Sequence, residues 1–504
     1  MNLLPCRNGG GLLSNELLNL DATGLAELIK KKKISSKEAV SATISRIEEV
    51  NPEINAVVAE RFEKALNEAE QIDPEKTFAG VPILMKNISQ AVKDEKLTGG
   101  SRLLKNQTAK ENSHFVNSIM KAGFIVIGHT NTPEFGLKNI TEPTLYGPTR
   151  NYVNRDHSPG GSSGGAAASV AGKMVPLAGA SDGGGSIRIP ASFSGLIGLK
   201  PTRGRTPVGP GAGRQWQGAA IDFALTKSVR DTAALLDEVQ TYQLSAAFNT
   251  ALFNEGYLNF INNEEKKHYK IGFSTVSPVG TPVSEAAVTT VMNLAGWLSE
   301  QGHAVEEAHP EINGRHLMEQ YYLMNAGEMA GVVSTLEKAY NRKLTSRDME
   351  IESWVLAEAG KKVTAGEFSM SLAAWDQAAQ QMFRFHEEYD FYLTPSTAFS
   401  APEIGELTPN QEQIEKLLHV SSMDAGSQQE LIYSMFEPSL TYSPFTQLAN
   451  LTGQPGISLP TGIDSLNLPI GVQLMTAKGE EHLLLKLASE IEKAGLFKGP
   501  INKD

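Results

Sequence analysis

The residues best suited to chemistry gather in two glycine–serine segments. Ser158-Pro159-Gly160-Gly161-Ser162-Ser163-Gly164-Gly165 runs into an alanine-rich stretch, and Ala180-Ser181-Asp182-Gly183-Gly184-Gly185-Ser186-Ile187-Arg188-Ile189-Pro190-Ala191-Ser192 follows it. Three consecutive glycines ahead of a serine imply close backbone approach or positive φ. Such a turn can aim successive N–H groups at one point, as an oxyanion or an anionic ligand requires. A flexible linker is the plain alternative for Gly/Ser-rich sequence. Apolar residues at 170–177 and 196–199 flank the second cluster and argue against it, because a linker there would lie between two pieces of core.

Two other motifs need weighing. Gly160-Gly161-Ser162-Ser163-Gly164 has the Gly-x-Ser-x-Gly form of a nucleophile elbow. That elbow must follow a strand, and residues 151–159 are polar and contain proline. A phosphate loop is also excluded: Gly172-Lys173 is followed by Met174, and Ala167 stands where the first glycine belongs. No His-Glu-x-x-His occurs among the ten histidines, so a metal hydrolase has no support and no cofactor is expected.

These segments must be held by a framework of strands and helices. Leu25-Ala26-Glu27-Leu28-Ile29 begins an amphipathic turn. Ser35-Ser36-Lys37-Glu38 has capping-box form ahead of a helix that Asn51-Pro52 should stop. Strands are expected at 56–58, 80–85, 124–127, 269–273, 391–394 and 470–475. Helices are expected at 61–71, 114–123, 165–171, 228–239 and 481–494. Alternation of short apolar strands with helices predicts an α/β fold around a mixed, mostly parallel sheet. One domain over residues 1–504 is expected, with a helical N-terminal segment over about 1–75. The glycine-poor stretch at about 284–388 would suit a helical cap or lid.

Composition bounds the partners. The 504 residues are 40 % hydrophobic and 20 % charged, ordinary for a globular protein. A net charge of −12 disfavours a nucleic-acid surface, and the run Lys30-Lys31-Lys32-Lys33 suits a solvated helix end. The single cysteine, Cys6, cannot form an internal disulfide or a Cys-rich metal site and fits a reducing compartment. The N-terminus lacks a long apolar region, so no secretory signal is expected. No apolar stretch reaches the ~18 residues of a membrane span. A cytoplasmic protein without membrane contact is expected.

Taken together, the two clusters closely resemble the amidase signature. The segments that carry the resemblance are GGSSGGAAASVAG at 160–172 and GASDGGGSIRIPASFSGLIGLKPTRGR at 179–205. GVPILMKN at 80–87, HTNTPEFG at 129–136 and PFTQLANLTGQPGISLP at 444–460 are family-like as well. The resemblance implies an amidase-signature fold, a large mixed sheet covered by helices on both faces. It implies that Ser186 is the nucleophile, Ser162 a relay serine preceded by a cis peptide, and Lys86 the base. The oxyanion hole falls on Gly183, Gly184 and Gly185, with Asp182, Arg188 and Ser163 as supports.

The chemistry accounts for these residue types. A serine hydroxyl is a weak nucleophile until a base removes its proton. Lysine serves only when neutral, and lowering its pKa by three units from ~10.4 takes roughly 4 kcal/mol. Val81, Ile83, Leu84 and Met85 ahead of Lys86 make that burial reasonable. Each residue also has a plain structural reading. Lys86 could snorkel, Ser162 cap a helix, Asp182 form an Asx turn and Arg188 pair with a carboxylate.

Within the resembled family, SDGGGSIRIPAS and Trp216-Gln217-Gly218-Ala219-Ala220 are similar to the branch of 6-aminohexanoate-cyclic-dimer hydrolases. The A subunit of a tRNA-dependent amidotransferase is the alternative, which the acidic charge fits poorly. Trp216, Tyr322 and Asn325 are expected in the substrate pocket. Tyr321 and Met324 are further candidates on the same helix, where ordinary core packing is the competing reading. The expected partner is a small-molecule amide, and the resemblance leaves room for a homodimer.

Overall fold

The apolar runs ahead of the chemical residues become strands, and their order fixes where those residues emerge. The computed structural model describes residues 14–265 and 267–500. Among them, eleven strands form one sheet: β1 (Val57–Glu60), β2 (Pro82–Lys86), β3 (Ile125–Thr130), β4 (Leu177–Asp182), β5 (Ile197–Lys200), β6 (Ile221–Thr226), β7 (Lys270–Phe273), β8 (Ala304–Glu307), β9 (Phe391–Pro395), β10 (Gly456–Ile463) and β11 (Pro469–Met475). The order across the sheet is β1-β3-β2-β4-β6-β5-β10-β11-β9-β7-β8. Cys6 and the extreme N-terminus, on which the reading of compartment rested, lie outside the described residues.

The sheet is mixed. Parallel pairings lie to either side, β2 with β3 and β4, and β7 with β8 and β9. The middle, from β4 through β6, β5, β10 and β11 to β9, is antiparallel. Alternation of strand and helix along the chain says nothing of this, because a short connection such as β10 to β11 permits antiparallel return. Every residue of β2, β3, β5, β6, β9 and β11 is buried. Successive side chains point to opposite faces, so both faces of the sheet are covered.

The capping box at Ser35 and Glu38 starts the helix Ser36–Ile54 as expected. That helix does not stop at Asn51-Pro52. It continues to Ile54 and ends on Asn55 in the left-handed region. Pro52 sits in the last turn, where the lost N–H bond is a single one. The Asn51 side chain meanwhile accepts from the Ala56 and Val57 N–H groups.

The stretch at 284–388 divides in two. The helix Glu285–Glu300 packs on β10 and β11, and β8 joins the sheet edge. From Gly314 onward, the helices Gly314–Tyr340, Ile351–Gly360 and Ala365–His386 build a separate layer. The first two share a second hydrophobic core with Ala425–Tyr442, including Met318, Tyr322, Met329, Leu356 and Phe436. This layer roofs the edge where β2 and β4 end. Among the described residues, no helix is long and apolar enough to cross a membrane.

Candidate active site

Lys86 is the last residue of β2 and Asp182 the last of β4. The two strands are parallel, so their C-terminal ends open on one edge of the sheet, where such folds place their ligands. The two strands pair directly at Leu84 and Ala178. Beyond that point Gln90 bridges the strands. Its Oε1 accepts from the Lys86 N–H at 2.8 Å, and its Nε2 donates to the Ala180 carbonyl at 2.9 Å.

The Lys86 side chain is wholly buried. Its Nζ lies 2.7 Å from Ser162 Oγ and 3.0 Å from Ser181 Oγ, and it donates to the Ser181 carbonyl at 3.3 Å. Burial disfavours the ammonium and pulls its pKa down to about 7, against the opposing pull of Asp222 and Asp182. Asp222 is itself buried, which pushes its carboxyl up, while Ser89 Oγ donates to it at 2.6 Å. A lysine in this setting is neutral at mildly basic pH and has a serine hydroxyl within hydrogen-bond reach. Snorkelling is excluded by the burial.

Ser162 follows a cis peptide from Gly161, and the helix Gly164–Ala171 starts two residues later. It therefore does not cap that helix. The Ser163 hydroxyl donates to the Ser181 carbonyl at 3.2 Å, tying this helix start to the end of β4. Ser186 lies past the glycine turn and lines the same cavity as Ser162 and Ser181. The structure thus joins Lys86 to Ser162 by a direct hydrogen bond and brings Ser186 to the same space. No Ser162–Ser186 hydrogen bond is formed among the described residues.

The glycine turn is held from three sides. Tyr321 Oη donates to the Gly183 carbonyl at 3.0 Å, and Thr446 Oγ1 donates to the Gly184 carbonyl at 2.8 Å. Asp182 Oδ1 accepts from the Gly185 N–H at 2.6 Å. Gly185 has φ +125°, and a Cβ there would collide with the Thr446 hydroxyl, so only glycine fits. The Gly185 N–H, expected among the oxyanion donors, is engaged by Asp182. The N–H groups of Gly183, Gly184 and Ser186 are the ones that no carbonyl or side chain among the described residues takes up.

Asp182 and Arg188 form a buried ion pair, Arg188 Nη2 to Asp182 Oδ1 at 2.9 Å and Nε to Oδ2 at 3.0 Å, both side chains fully enclosed. Burial alone would raise the Asp182 carboxyl; the guanidinium outweighs it and holds the carboxyl well below the usual range. The remaining Arg188 donors reach the Thr446 carbonyl at 2.7 Å, Gln473 Oε1 at 2.6 Å and Asn450 Oδ1 at 2.6 Å. Asn450 Nδ2 returns to Asp182 at 2.8 Å. Sequence reasoning placed Asp182 and Arg188 but missed Ser181, Thr446, Asn450 and Gln473. The first three lie inside motifs already marked at 179–205 and 444–460. Gln473 sits on a strand marked only as apolar.

A cavity of about 460 Å³ opens onto Ser162, Ser181 and Ser186, within the usual range for small-molecule sites. Trp216, Tyr322 and Asn325 line it, and so does Tyr321. Met324 is buried core and does not. The lining residues Met318, Tyr321, Tyr322, Asn325, Glu328 and Val332 recur at helical spacing along one face of Gly314–Tyr340. Two residues with positive φ, Trp216 and Gln217, are clamped to that face. Trp216 Nε1 donates to Asn325 at 2.6 Å and Gln217 Nε2 to Glu328 at 2.6 Å. No histidine lines the cavity among the described residues.

Among the described residues, no three His, Cys, Asp or Glu side chains gather in a way that could hold a metal ion. Prolonged dialysis against EDTA should therefore leave the rate of any hydrolysis unchanged. A large loss restored by zinc would show that a metal takes part.

The sequence profile of the amidase family matches residues 38–485. The chain is 38 % identical over 476 residues to a lipoamidase of Enterococcus faecalis, covering 94 % of this chain and 63 % of the lipoamidase. It therefore spans less than two thirds of that relative. It is 36 % identical over 481 residues to the 6-aminohexanoate-cyclic-dimer hydrolase of Paenarthrobacter ureafaciens, covering 94 % of each chain. A solved structure of 6-aminohexanoate cyclic dimer hydrolase complexed with substrate superposes with a TM-score of 0.88 at 35 % identity. That match covers 96 % of this chain and 98 % of the other.

Proposed function

The chain belongs to the amidase family, whose members here are hydrolases of carbon–nitrogen amide bonds, and from that premise we propose how it cleaves its substrate. The Ser186 hydroxyl attacks the amide carbonyl and forms an acyl-enzyme. Neutral Lys86 takes the proton through Ser162, and the same relay returns it to the leaving amine. Water then hydrolyses the ester on Ser186. The N–H groups of Gly183, Gly184 and Ser186 hold the tetrahedral oxygen, each such donor worth about 3 kcal/mol. The observation that carries this reading is the 2.7 Å contact between Ser162 and a lysine whose pKa lies near 7, at the wall of the cavity that holds Ser186.

The cavity supports an amide with apolar arms. Phe135, Leu137, Trp216, Tyr322, Phe436 and Leu440 present carbon to it, with Asn139, Asn325 and Glu328 as polar points. A cyclic amide of the 6-aminohexanoate dimer type and a linear aliphatic amide both suit such a lining. The partner is a small molecule, and a cytoplasmic location and a homodimer belong to the same reading.

A fluorophosphonate probe tests the nucleophile without any knowledge of substrate. Mass-spectrometric mapping should find the adduct on Ser186 and none on Ser162, and Ser186→Ala protein should take up no label. An adduct on Ser162 in the wild-type protein would exchange the two roles.

A further inference from the structure

A second cavity, of about 320 Å³, lies against the first. Met318 and Gln447 line both, so they form the partition between them. Carbon predominates on the far side, from Val279, Ile312, Leu317, Phe445 and Leu448. Exposed Glu307 and His309 also border this space, which therefore reaches solvent. None of these residues takes part in holding Lys86, Ser162 or the glycine turn.

The partition has two unusual members. Met318 is an unbranched thioether, buried, on the face of Gly314–Tyr340 that roofs the catalytic cavity. Its three soft torsions let it move aside at little cost. Gln447 is oriented by its own hydrogen bond, since Nε2 donates to the Ser443 carbonyl at 2.9 Å. That leaves Oε1 as a buried acceptor with no partner. A buried acceptor is unfavourable until a donor meets it.

We propose that the two cavities form one bipartite substrate site: an unbranched apolar arm of the amide passes Met318 into the second chamber and lies along its carbon lining. The substrate class is then an elongated secondary amide with an extended aliphatic arm, longer than the catalytic cavity alone accommodates. The proposal rests on the amidase reading for the identity of the scissile bond. The chamber itself can be tested by binding, without turnover.

The experiment uses Ser186→Ala protein and calorimetry. One probe series is N-methylacetamide, N-methylhexanamide and N-methyldecanamide, which lengthens the acyl arm. The other is N-methyl-, N-hexyl- and N-decylacetamide, which lengthens the amine arm. In one series Kd should fall at least about tenfold from shortest to longest, since burying two methylenes already gives that much. Which series responds identifies the arm. Adding Val279→Trp, a half-buried residue in a surface turn, should fill the chamber and flatten the series while the shortest probe binds as before the change. Val276→Trp, at 66 % exposure on the chamber rim, is a second block whose own folding is not at risk. Two flat series, or a length effect that survives both blocks, would overturn the proposal. Amide turnover by the Ser186 protein is measured separately, so loss of the amidase reading and loss of the chamber give different results.

Discussion

Lys86→Arg should cost nearly as much kcat/KM as Lys86→Ala, about 10²- to 10⁴-fold, the range that a general base contributes. Both variants fill or vacate one buried site, yet neither can supply a neutral amine. Arginine keeps the charge and stays protonated at any accessible pH. Lys86 differs because burial has brought its pKa to about 7, and its contacts to Ser162 and Ser181 are short enough for proton exchange.

The sign of the pH profile follows. Below about pH 7 the lysine is an ammonium and holds no lone pair for Ser162. As pH rises through that value the neutral fraction grows, so kcat/KM should climb and then level off. The variants should lose this basic-side rise along with the rate. Near-wild-type kcat/KM in Lys86→Arg would sink the lysine mechanism. It would point instead to another base, although no histidine among the described residues lines the cavity.

The second large effect concerns stability. Arg188→Leu removes one partner of a fully buried ion pair and strands Asp182 as an uncompensated charge. It also leaves Gln473, Asn450 and the Thr446 carbonyl without their donor. Breaking such a pair costs about 3–5 kcal/mol, a large part of the 5–15 kcal/mol that stabilises an ordinary domain. Denaturant unfolding should show that loss at neutral pH. The double variant Arg188→Leu with Asp182→Asn should recover part of it, because the stranded charge is gone. A loss below about 1 kcal/mol in the single variant would mean that the network relaxes around the gap.

The pH dependence of that contribution has a definite sign. The Asp182 carboxyl is depressed in the folded chain, so its pairing stabilises above the ordinary carboxylate value near 3.8. The contribution is lost as pH falls below that value. Arg188→Leu should therefore lie closer to the wild type in strong acid than at neutrality.

What the sequence by itself determined is local and chemical. Residues 179–188 carry their own turn, because Gly183-Gly184-Gly185 before a serine has few other uses and Asp182 sits where it can take the returning N–H groups. The apolar run before Lys86 foretold a buried strand end, and the capping box at Ser35 a helix start. Each of these follows from a few adjacent residues, and so each was legible.

Tertiary structure alone decided what depends on distant chain segments meeting. Ser181 reaches Lys86 only because β4 runs parallel to β2, and nothing in either segment states that pairing. Thr446, Asn450 and Gln473 brace Arg188 from residues about 260 to 285 positions away. That Asp182 engages the Gly185 N–H, expected among the oxyanion donors, also depends on how the turn folds back. The antiparallel centre of the sheet was likewise hidden, since strand direction depends on which strands become neighbours and not on their composition. The partition at Met318 and Gln447 is the furthest case: a helix face and the first residue of another helix, Gln447–Thr452, lie 129 residues apart and become one wall, and only packing brings them together.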